Sequence, residues 1–138
     1  MDRQQFCELL LLRKDELGLS LRELTIATHF SSSGLLNLLH GQTNVYVESA
    51  IKLADVLGYV IVVKNEKWHI KLNSQTALTW WAQESIQAAK ISVNKFKDKI
   101  GMSRVAVTAN LKGEYRMRID TLFKWAEITG YQVEVWQK

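Results

Sequence analysis

The sequence predicts a mainly α fold made of two copies of one helical unit, each closed by a short β-strand. Three observations carry that expectation. The chain matches itself when slid by 72 residues, which aligns 19–63 with 91–135 without a gap. Apolar residues recur at helical spacing between serine starts and glycine stops. Each copy then ends in a Tyr- and Val-rich stretch with the pattern of a strand.

Nine of the 45 aligned pairs are identical, among them Ser20/Ser92, Ser31/Ser103, Gly41/Gly113, Gly58/Gly130 and Tyr59/Tyr131. These residues start and stop secondary structure, so their shared spacing describes one fold unit used twice. Pairs such as Leu24/Phe96, Val47/Ile119 and Val56/Ile128 keep the apolar character of the positions between them.

In the first copy, Phe6, Leu9, Leu10 and Leu17 lie on one face of a helix over 3–17, and Gly18 ends it in a left-handed cap. Ser20-Leu21-Arg22-Glu23 is a capping box, in which serine and glutamate reciprocally satisfy orphan backbone donors. It opens a short helix to about Thr28. Ser31 caps the next helix, which runs to His40 and stops at Gly41. Val47–Leu57 forms a fourth helix closed by Gly58. Tyr59–Lys64 and Lys67–Leu72 are β-rich and predict a hairpin across Asn65-Glu66. The second copy repeats the order. Thr76 is the expected cap of a helix over 77–90, Ser92 and Ser103 cap the next two, and Ile119–Thr129 precedes Gly130. Tyr131, Val133 and Val135 then alternate with polar or amphipathic residues as one face of a strand. The expected units are 1–72, with a C-terminal hairpin, and 73–138, with a C-terminal strand. No Pro- or Ser-rich linker separates them, so one compact body is expected.

Composition bounds the function. A chain that is 47% hydrophobic and only 23% charged does not have the makeup of a disordered one. A single cysteine, Cys7, cannot form an internal disulfide, which favours a reducing compartment. Apolar runs such as Leu9–Leu12 are far too short for a membrane span, and no leader pattern opens the chain. A cytoplasmic protein without a membrane partner is therefore expected. Cys7, His29, His40 and His69 lack metal-ligand spacing, and no phosphate loop, nucleophile elbow or HExxH motif occurs. No catalytic residue, metal or cofactor is expected. Trp68, Trp80, Trp81, Trp125 and Trp136 could form a stacking platform for single strands, but their helix and strand positions favour packing.

The net charge of +4 and pI near 9.2 point to a polyanion only if the charge is concentrated. Residues 19–63 hold 2 basic and 3 acidic side chains, whereas 91–135 hold 8 and 5, so the excess sits in the second copy.

Two short helices joined by a tight turn, the second capped by serine and ended by glycine, form a helix-turn-helix. Leu17 through Leu24 and Ser31 through Gly41 resemble the Cro/C1-repressor (XRE-type) family. So do Ser92 through Phe96, Ile100 through Ser103, and Val107 through Gly113. The following helices, Ala50–Gly58 and Leu122–Gly130, extend the resemblance to about two thirds of the chain. Gly101 matches the family's turn glycine, where the first copy has His29. The family's usual glutamate before the closing glycine is Leu39 or Leu111 here, and its usual alanine in the first short helix is Thr25 or Lys97. A fifth helix is replaced by strands, as in some antitoxin-related members whose terminal strand pairs across a two-fold axis. The resemblance implies two lambda-repressor-like helix-turn-helix units sharing a small sheet. Strands 59–64 and 131–136 would pair within the chain as a pseudo-dimer.

It further implies a bacterial or phage transcription regulator, repressor-like, that puts recognition helices 32–40 and 104–112 into the major groove of duplex DNA. The candidate face of the second copy is Arg104, Val105, Thr108, Ala109 and Lys112. Arginine can bond guanine O6 and N7, and a methyl can meet thymine. Ser92 and Ser103 would hold phosphates at helix starts, and Arg116 and Arg118 would neutralise flanking backbone. In the first copy, Ser32, Ser33, Leu36, Asn37 and His40 occupy the corresponding face, and Ser20 is the helix start equivalent to Ser92. Either two units in one chain read two half-sites, or a homodimer uses only its second copies. The competing reading is an antitoxin-like or adaptor module whose first unit holds a protein partner; a third is an architectural DNA binder.

Overall fold

A computed structural model describes residues 1–138. The elements are α1 (Arg3–Glu16), α2 (Leu21–Thr28), α3 (Ser32–Leu39), α4 (Val47–Val56), β1 (Tyr59–Lys64) and β2 (His69–Leu72), followed by α5 (Gln75–Ala88), α6 (Val93–Ile100), α7 (Arg104–Lys112), α8 (Ile119–Thr129) and β3 (Gln132–Gln137). The protein is mainly α, with one antiparallel sheet in the strand order β2-β1-β3. The expected helix starts at Ser20, Ser31, Ser92 and Ser103 all form, each hydroxyl oxygen accepting the backbone N–H three residues on. The start of α5 differs from expectation. Ser74, not Thr76, is the cap, its Oγ accepting from Ala77 N at 3.1 Å.

The turn between α2 and α3 needs a left-handed residue, because the chain must reverse within three residues. Gly101 supplies it in the second copy at φ 76°, and His29 adopts the same conformation at φ 61°. The repeat thus keeps its geometry where the residue differs, at the steric cost a Cβ meets in this region. The β1–β2 connection is longer than a two-residue hairpin, because Asn65 builds it from its side chain. Its Oδ1 accepts from Lys67 N at 2.9 Å and Trp68 N at 2.8 Å, so pairing begins only at His69.

The 72-residue offset becomes a pseudo-two-fold axis within the chain. Antiparallel β1 and β3 place Val62 opposite Glu134, and a lone bridge places Tyr46 opposite Arg118. In each pair a residue faces its own counterpart. Beside the bridge, Val47 N donates to Met117 O at 2.8 Å, and Ile119 N donates to Val45 O at 2.7 Å, the same bond written in both copies.

The core ignores the repeat boundary. One continuous cluster of 29 buried apolar residues runs through both copies. Phe6 of α1 meets Phe123 of α8 edge-on at 6.2 Å, and Trp81 of α5 meets Tyr131 at 5.6 Å. Trp125 lies 4.5 Å from Phe96 and donates its indole N–H to Ser85 Oγ at 2.9 Å. Cys7 is buried here, and burial pushes its thiol up to about 11, so it packs as a small hydrophobe. Leu17, expected on the core face of the first helix, is exposed because the helix ends at Glu16 and Leu17 is its C-cap. The tryptophans divide: Trp81 and Trp125 are fully buried, Trp136 is half-buried against His69, and Trp68 and Trp80 are exposed. No helix is long and apolar enough to cross a membrane.

Candidate nucleic-acid interface

The two helix pairs α2–α3 and α6–α7 occupy equivalent places, so differences between them isolate the chemistry of each surface. Both first helices start on a serine that accepts an amide three residues on: Ser20 from Glu23, and Ser92 from Lys95. The residue at that third position decides what the helix start can hold. In the first copy the Glu23 carboxylate accepts from Ser20 N at 3.1 Å. The Ser20 amide, and then its hydroxyl, hold this carboxyl below the usual carboxylate range, so an anion already occupies the positive end of α2. In the second copy the same position is Lys95. The Ser92 amide makes no hydrogen bond and stays open beside an exposed ammonium. The two starts therefore differ in charge, with a carboxylate on the cap of α2 and an ammonium at the same position of α6.

The face of α7 follows the expected stripe in part. Ser103, Arg104, Val105 and Lys112 are exposed and Thr108 is half-exposed; Val105, an apolar residue, is 71% exposed. Arg104 Nη1 donates to Asn94 Oδ1 of α6 at 3.2 Å, so the first turn of one helix holds the guanidinium that starts the next. Ala109 does not belong to this face. It is only 6% exposed. Asn37, in the equivalent place, is exposed, although both helices end with the same 2.9 Å bond, Gln42 N to Asn37 O and Glu114 N to Ala109 O.

Arg116 and Arg118 take a different role from free backbone contacts. Both stack on Tyr46 of the other copy, with guanidinium carbons 4.0 Å and 4.4 Å from the ring centre. Arg116 also pairs with Glu48 at 3.3 Å, and Arg118 donates to Asn44 O at 2.8 Å and Tyr46 Oη at 3.2 Å. These arginines brace the pseudo-two-fold axis while remaining exposed at their outer surfaces.

In the first copy Ser20, Ser32, Ser33, Leu36, Asn37 and His40 are all exposed, as is Ile26 of α2. This face carries no Lys or Arg on α3. Two residues of the second surface escaped the sequence reading, Asn94 and Lys95. The signal that could have found Lys95 was the repeat itself, which aligns it with Glu23.

The buried side of α7 also departs from the pattern. Asn110, aligned with the buried Leu38, points inward and donates to Ala106 O at 2.9 Å, while its Oδ1 has no partner. Leu111, the next residue, is only partly buried. Replacing Asn110 by leucine removes the cost of the unpaired oxygen and is expected to raise stability by about 1–3 kcal/mol. Urea denaturation measures it, and an unchanged or lower midpoint would refute the assignment.

No three His, Cys, Asp or Glu side chains converge so as to hold a metal ion. Comparison with protein-family models, curated proteins and solved structures gives no match to this chain.

Proposed function

We propose that this chain is a sequence-specific duplex-DNA-binding regulator of the Cro/C1-repressor kind, repressor-like and acting in the cytoplasm on the nucleoid, and that its second copy does the reading. The observation that carries this is the replacement of the Glu23 cap by Lys95 at one of two otherwise equivalent helix starts, beside exposed Arg104 and Lys112 and half-exposed Thr108. Helix α7 enters the major groove with Arg104 toward a guanine edge and Val105 toward a thymine methyl. Ser92, Lys95 and Ser103 hold the flanking phosphates.

Selection of bound duplexes from a random pool, followed by sequencing, tests this. Enrichment of one half-site per chain is expected. Absence of binding to any duplex, even at low salt, would overturn the reading. Arg104→Ala is expected to relax the preference at one base position, at a cost of about 1–3 kcal/mol, without flattening the rest of the site. An unchanged preference would remove Arg104 from the reading surface.

A second reading concerns the first copy alone. Ile26 is 65% exposed and Leu36 is 42% exposed on a face without Lys or Arg on α3, which favours a protein partner there over DNA. If that face reads DNA instead, the selection will return two half-sites about one helical turn apart.

A further inference from the structure

We infer that the outer edge of β3 is a docking site for an extended segment of a partner protein in which apolar and basic residues alternate, added to the sheet as a fourth strand. The sheet is two-fold symmetric at its centre and asymmetric at its edges. β1 is paired on its outer side by β2 over Ile61–Lys64. β3 holds the equivalent place but pairs only with β1, and its residues make no backbone hydrogen bond on the other side. An open edge of this kind is a template for strand addition.

The chain's use of the equivalent edge states what fits. On β1, Ile61, Val62 and Val63 face Leu72, Lys71 and Ile70 of β2. The pseudo-two-fold carries these three to Val133, Glu134 and Val135. A strand of the β2 type on β3 therefore sets leucine against Val133, isoleucine against Val135 and lysine against Glu134, an opposite-charge cross-strand pair. The clefts agree. Beside β1 a cleft of about 350 Å³ is lined by Leu72, Asn73 and Ser74. Beside β3 the equivalent cleft measures about 880 Å³, with Met1 and Asp2 in place of Asn73 and Ser74. Of its acidic lining, Asp120 pairs with Arg3 at 3.3 Å and Glu134 with Lys64 of β1 at 3.1 Å, so the basic preference rests on the Lys71 position of β2, whose equivalent here faces Glu134. This site stands independently of DNA reading.

The probe is a synthetic peptide with the chain's own sequence from Glu66 to Asn73, titrated into the ¹⁵N-labelled full chain. Saturable binding with a Kd no weaker than ~1 mM is expected, with shifts and slowed amide exchange centred on Gln132–Gln137. The Lys71→Glu peptide should bind at least about five-fold more weakly, since it sets like charges opposite one another. Glu134→Lys in the chain should invert that preference, and Glu134→Gln, the milder change should the first not fold, should erase it. Absent binding, equal binding of both peptides, or shifts confined to β1 and β2 would overturn the proposal. So would a dimer of the chain, seen by sedimentation, that is held through β3 and persists against the peptide, because the edge would then belong to a second copy.

Discussion

Trp125→Ala is expected to lower the unfolding free energy by about 3–5 kcal/mol, a large part of the ~5–15 kcal/mol that holds a domain of this size. The indole is fully buried, lies against Phe96, and donates to Ser85 across the α5–α8 contact. Truncation leaves a cavity and strips Ser85 of its donor in a buried place. Because the 29-residue core is continuous, the loss should move one cooperative transition rather than two. Urea denaturation followed by circular dichroism and by fluorescence checks this, with Trp80→Ala as the exposed control, expected within about 0.5 kcal/mol of the parent. A variant in which the first copy stays folded while the second melts would show that the copies are independent domains.

Lys95→Glu should reduce duplex affinity by roughly 10–100-fold at moderate salt and make the salt dependence shallower by about one phosphate contact or more. The substitution removes a cation beside the open Ser92 amide and installs the carboxylate that Glu23 already provides at the equivalent start. It also completes a capping box, so α6 should become more stable, not less. Loss of binding together with an unchanged or raised melting temperature therefore separates electrostatics from unfolding. The mirror substitution, Glu23→Lys, is expected to leave affinity within about two-fold, since the face beside it does not contact DNA in the proposed reading. Fluorescence anisotropy across a salt series measures both. Equal affinity of Lys95→Glu and the parent would reject the second copy as the binding surface, and a gain of tenfold from Glu23→Lys would put the first copy on DNA as well.

Much of the candidate surface was legible from residues read singly. The exposed positions of Arg104, Val105 and Lys112 follow from helical spacing after the Ser103 cap, and those of Ser32, Ser33 and Asn37 from the Ser31 cap. Where spacing failed, a distant contact intervened. Ala109 is buried where its counterpart Asn37 is exposed, and Asn110 rather than Leu111 is buried on α7, the helix that packs against α5. Arg116 and Arg118 gave no hint that they would meet Tyr46, some 70 residues away along the chain.

The sequence by itself determined the mainly α class, the existence of the helices and strands, and the 72-residue repeat. Those signals are local: a cap, a stop and an apolar period each act within a few residues, where sequence neighbours are also spatial neighbours. The single body and the pairing of the two strands were expected from the missing linker and the resemblance; only the tertiary structure decided the register, through Val62–Glu134 and Tyr46–Arg118, the side chains that meet in the continuous core, and the open edge that β3 keeps where β1 has none. Those outcomes depend on which distant surfaces bury each other. No single stretch of chain contains both partners of such a contact.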